Sequence, residues 1–146
     1  MATYLVWKNN VISMVRGDTL KFKLTLIKDE ENNLLGFINK NFKEEEYDKI
    51  YHVQPGDSVY FGLMAPNKPF EKSCVVKYLT IIEDSEASEF EYHGITINED
   101  GSMCIKLDPN DTEFLYSGEY FYTVKVELAN DEVETVVPNT KLLIID

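Results

Sequence analysis

Residues 101–128 read GSMCIKLDPNDTEFLYSGEYFYTVKVEL. The second half alternates: Tyr120, Tyr122, Val124, Val126 and Leu128 fall on one face, and Phe121, Thr123, Lys125 and Glu127 on the other. A period of two marks a strand, because successive side chains point to opposite faces. Residues 103–107 form a shorter strand before it. Between the two, Asp108 is placed to cap a helical turn, Pro109 suits the first helical position, and Asp111 sits early, where the helix dipole favours acid. Ser117-Gly118 closes that turn. The stretch therefore predicts a strand, a helical corner and a longer strand.

The same logic extends outward. Leu20, Phe22, Leu24 and Leu26 alternate with Lys21, Lys23 and Thr25, as in a sheet with one wet face. Short strands are expected at 4–7, 11–15, 58–65 and 95–97, and one within 70–82, where Val75, Lys77 and Leu79 share a face. Two more are expected at 133–137 and 141–145, separated by a turn at Pro138-Asn-Thr140. Asp100-Gly101 and Ala129–Glu132 read as hairpin turns. Arg16-Gly17-Asp18 spells an integrin tripeptide but reads as a kink between strands. About eight short strands with closely spaced turns predict an antiparallel β-sandwich.

Residues 28–54 break the rhythm. Asp29–Asn33 is a polar turn, Leu34, Leu35, Phe37, Ile38 and Phe42 are apolar without a strand period, and 43–50 could form a short helix. We read this stretch as an inserted excursion, and the whole of 1–146 as one domain.

The chain's 146 residues suffice for a core without staples. Its net charge of -12 argues against nucleic acid and an anionic membrane as direct partners. The acid is uneven: residues 1–27 hold Lys8, Arg16, Lys21 and Lys23 against only Asp18. Met1-Ala-Thr-Tyr4 lacks the basic and apolar regions of a signal peptide, so Cys74 and Cys104 are expected to be buried free thiols. His52 and His93 have no partner at metal-ligand spacing, and the acidic loops lack the ligand order of an EF-hand. No nucleophile motif or phosphate loop is present. The expectation is thus no catalytic residue, no metal and no cofactor.

Several features together resemble the small β-sandwich structural proteins of tailed bacteriophages, among them tail, baseplate and neck components and the N-terminal domains of upper-baseplate proteins. They are Arg16-Gly-Asp-Thr19 opening an alternating strand, Asp100-Gly101 before a short strand, Leu107-Asp-Pro-Asn-Asp-Thr112 with Leu115, and Gly118-Glu-Tyr-Phe-Tyr122 opening the long strand; Glu134-Thr-Val136 precedes the last strand. The resemblance covers 11–27 and 95–145. The excursion at 28–54 and the Pro138 turn depart from it. It implies an all-β, antiparallel Ig-like sandwich with one short helical corner, and a non-enzymatic virion subunit made in the host cytoplasm. Such a subunit would contact other virion proteins and further copies of itself, as a homo-oligomer or ring. Trp7, Phe42, Tyr47 and Tyr51 are the candidate interface anchors, because aromatics dominate interface energies. A carbohydrate-binding or host-recognition module is the alternative.

Overall fold

Ten strands, one α-helical turn and a 3-10 turn at Phe70–Lys72 follow one another through residues 11–38, 48–82 and 90–146, the residues described by the computed structural model. They are β1 (Ile12–Val15), β2 (Leu20–Lys28), β3 (Leu34–Ile38), β4 (Ser58–Met64), β5 (Val75–Ile81), β6 (Phe90–His93), β7 (Ile95–Ile97), β8 (Met103–Leu107), α1 (Pro109–Thr112), β9 (Gly118–Glu127) and β10 (Val133–Ile145). A six-stranded sheet in the order β1-β10-β9-β4-β5-β6 packs on a four-stranded sheet in the order β3-β2-β8-β7. The fold is an all-β sandwich.

Alternation decides what the sheets bury. Leu24 and Leu26 of β2 and Met103, Ile105 and Leu107 of β8 meet Val59, Phe61 and Leu63 of β4 and Tyr122, Val124 and Val126 of β9. At the centre, Phe22, Phe61 and Tyr122 form a ring triad bridging the sheets, with centroids 5.8–5.9 Å apart. Burial pushes the Tyr122 phenol up to about 12. Its neutral form is therefore favoured in the folded state, and the stability it contributes is full below pH 10 and lost as pH rises toward 12. A shift of that size corresponds to about 3 kcal/mol. Tyr122→Phe should flatten this part of the alkaline stability loss, measured by denaturant unfolding between pH 9 and 12.

The corner ahead of β9 closes one end of the sandwich. The Asp108 N–H donates to Asp111 Oδ2 at 2.6 Å, and the buried Thr112 accepts from the Gly17 N–H through Oγ1 at 2.9 Å. Arg16 donates to the Leu115 carbonyl and pairs with Asp146. The Arg16-Gly17-Asp18 kink is therefore part of this closure. Leu115 packs against the core, and the Tyr120 hydroxyl donates back to the Tyr116 carbonyl at 2.9 Å.

The structure differs from the sequence reading in several elements. The supposed excursion contains β3, hydrogen-bonded antiparallel to β2. None of Leu34, Leu35 and Phe37 is exposed, so no wet face imprints a period of two. Pro138-Asn-Thr140 does not end a strand; it lies within β10, where the ladder with β9 shifts register between Val137 and Thr140. At such a bulge the missing proline N–H costs no ladder bond. β1 runs parallel to β10, Ile12 opposite Leu142, so the sandwich is not wholly antiparallel. β6 extends the sheet beside β5, at residues for which the sequence reading predicts no strand. The thiols are free, but Cys74 is exposed and Cys104 only partly buried. The expected strand at 4–7 and most of the expected helix at 43–50 lie outside the described residues.

Candidate functional site

Four connections meet at the end of the sandwich opposite the corner. They are the β2–β3 turn (29–33), the approach to β4 (51–57), the β7–β8 hairpin turn (98–102) and the β9–β10 hairpin turn (128–132). Together they hold Asp29, Glu30, Glu31, Asp57, Glu99, Asp100, Asp131 and Glu132, and no Lys or Arg. That is eight negative charges in a chain whose net is -12. β5 ends and β6 begins here too, Ile81 opposite Phe90. From β2, Lys28 reaches Asn32 at 2.9 Å and Lys23 reaches Asp100 at 3.3 Å.

Each turn is fixed by its own carboxylate or amide. Asp29 accepts from the Glu31 and Asn33 N–H groups, and these backbone donors hold its carboxyl below the usual range. Asp100 accepts from the Ser102 hydroxyl and N–H, which lowers its pKa too, with help from Lys23. Asn130 accepts from the Glu132 N–H. Gly101, at φ 91°, lets His52 lie against the hairpin: a Cβ there would stand 2.3 Å from the ring. Gly101→Ala should cost about 1–2 kcal/mol from the left-handed backbone alone, read as a lower unfolding midpoint, with the His52 ring resonances displaced.

Asp57 ties the turns together. It is buried and accepts three bonds: from the Tyr51 hydroxyl at 2.7 Å and the Gln54 N–H at 2.8 Å on Oδ2, and from the Ala129 N–H at 3.0 Å on Oδ1. Burial first, then the Asp57 carboxylate, pushes the Tyr51 phenol well above its ordinary value. Beside this node an open cleft of about 420 Å³ is lined by Asn32, Asn33, Gln54, Asn130, Glu132 and Glu134, with Tyr51, Leu34 and Leu128 beneath them. It offers amide and carboxylate groups suited to hydrogen-bonded recognition.

Of the four expected anchors, Tyr51 alone falls among the described residues; Trp7, Phe42 and Tyr47 lie outside them. Tyr51 packs against the core with its hydroxyl committed to Asp57, so it braces the cleft floor. Two aromatics not singled out from sequence, Phe114 and Tyr116, project from the corner with 87% and 86% of their surface exposed. The signal was their spacing on either side of the inward Leu115. His93 lies by Tyr78, ring centroids 6.0 Å apart, far in chain order from His52 and its hairpin. Among the described residues no three His, Cys, Asp or Glu side chains converge as a metal set, and no helix is long and apolar enough to span a membrane. No family model matches the chain, and no curated protein matches it.

Proposed function

We propose that the protein is a non-enzymatic structural component of a tailed-phage particle, in the tail, baseplate, neck or head-fibre region, acting through multi-copy protein–protein contacts. The corner from Asp108 to Gly118 carries this reading. Its capped turn, inward Leu115 and Tyr120 bonded back to Tyr116 have the order that the resemblance to phage sandwich proteins implies. The strand order supports an Ig-like scaffold: with β3 standing for the A strand, it follows the variable-type arrangement, and the Tyr120–Tyr116 bond has the form of a tyrosine corner. In that frame Phe22, Phe61 and Tyr122 stand where Ig domains place an inter-sheet disulfide and a tryptophan. An aromatic pin suits a chain assembled in a reducing cytoplasm.

Mass spectrometry of purified particles, with copy number from cryo-electron microscopy, tests the reading. The protein should be present in a symmetric multiple; its absence from particles would sink the idea. The cleft beside Asp57, with four amide side chains around an apolar floor, favours glycan recognition as the second reading. A glycan array without binding would dismiss it.

A further inference from the structure

The cleft beside Asp57 does not stand alone. A second cleft of about 420 Å³ adjoins it, sharing Asn32, Tyr51 and Gln54 and adding Lys28 and His52. Two open clefts with a common wall make one trough across the loop end, with Tyr51 in the lining of both halves. Each half falls within the about 300–1,000 Å³ of small-molecule sites. The four amides along the trough are each half committed. Asn32 accepts from Lys28 Nζ through Oδ1 at 2.9 Å, and Asn130 accepts from the Glu132 N–H through Oδ1 at 3.0 Å. Among the described residues nothing bonds their NH₂ groups. Asn33 donates to Asp29 at 3.3 Å, and Gln54 donates to the His52 carbonyl at 2.7 Å. In these two it is the side-chain oxygen that no described residue bonds.

We propose that this trough binds an uncharged oligosaccharide, two linked sugar rings spanning its halves, a site that rests on the glycan reading of the cleft and gives it a ligand class. A hydroxyl both donates and accepts, so neighbouring sugar hydroxyls need donors and acceptors side by side. Two open amide NH₂ groups and two open amide oxygens supply that mixture. A phosphate or sulfate, which only accepts, would leave half of it unused. The amides are also held by their committed atoms, so binding costs little side-chain freedom. Tyr51, its hydroxyl fixed on Asp57 at 2.7 Å, adds a held aromatic ring for the apolar face of a sugar. Charge then decides against acidic glycans. The four connections of this end carry eight carboxylates and no Lys or Arg, and Glu132 and Glu134 line the trough itself. Lys28, in the lining of the second half, is bonded to Asn32. A sulfated, phosphorylated or uronic-acid chain would enter a negative field that a neutral chain does not feel.

An array of neutral, sulfated and sialylated oligosaccharides, probed with the full chain, should show neutral glycans bound and acidic ones not. In titrations with the strongest-binding neutral disaccharide of that array, Asn32→Asp and Asn130→Asp should each weaken binding about tenfold. Aspartate keeps the oxygen that Lys28 or the Glu132 N–H uses and removes the NH₂ group, and an uncharged ligand is indifferent to the added charge. Should either variant fail to fold, nuclear magnetic resonance of the wild type gives the answer without it. The side-chain NH₂ signals of Asn32 and Asn130 should move on titration while the exposed Phe114 and Tyr116, at the opposite end, stay still. Binding confined to acidic glycans, binding unchanged in both folded variants, or shifts at Phe114 and Tyr116 alone would each overturn the site and leave the glycan reading standing. An array with no binding at all would remove both. None of these results touches the phage-particle reading, which particle mass spectrometry tests separately.

Discussion

Replacing Asp111 with alanine should destabilise the fold by about 3–5 kcal/mol, a large share of what a domain of this size has. Lys77 stands on the core face of β5 with 1% of its surface exposed, and its Nζ lies 2.8 Å from Asp111 Oδ2. Gly94 makes room for it: a Cβ there would stand 2.3 Å from Lys77 Cδ. Without Asp111 the ammonium keeps its burial and loses its counter-charge, and an uncompensated buried charge is the costly half of such a pair. Lys77→Met keeps the volume and leaves Asp111, whose side chain is partly solvated, bonded to the Asp108 N–H. That variant should lose far less, and Lys77→Met with Asp111→Asn should return most of the stability. Urea unfolding of the three variants decides it. Asp111→Ala within 1 kcal/mol of wild type would mean that water reaches Lys77.

The pair also shows where sequence reasoning stops. Alternation places Lys77 on one face with Val75 and Leu79, so its inward direction is legible. The capping logic places Asp111 in the first turn of α1, also correctly. That the two meet is not legible, because spacing along the chain says nothing of distance in space. The same division runs through the fold. Core residues recur at every second position in β2, β4, β7, β8 and β9, and that period of two exposes them. In β3 none of Leu34, Leu35 and Phe37 is exposed to mark a wet face, and β10 carries a proline at a bulge, so local signals mislead on both. The acidic runs 29–31, 83–86 and 99–100 are plain in the sequence. The first and third converge at one end through register, Leu24 opposite Met103 and Lys28 opposite Leu34, and the strands flanking the second end there too. The candidate site is thus visible in its parts and hidden in its assembly.

Asp57→Ala should cost about 3 kcal/mol and loosen the loop end before the rest of the sandwich. The carboxylate is buried and accepts from Tyr51, Gln54 and Ala129, which belong to two different connections. Hydrogen bonds to a charged group each contribute about 1.5–3 kcal/mol, and buried donors left without an acceptor add a desolvation cost. Alanine removes all three acceptor contacts at once. Asparagine keeps one oxygen but turns an N–H₂ toward donors, so it should fall between alanine and wild type. Hydrogen exchange separates a brace of the loop end from a merely global effect. The Gln54 and Ala129 amides should exchange much faster in Asp57→Ala under conditions where Val124 and Val126, in the middle of β9, stay protected. Tyr51→Phe removes only the phenol's bond and should show the smaller loss, about 1 kcal/mol. Equal acceleration of all four amides would assign Asp57 to the global core and leave the cleft without a dedicated support.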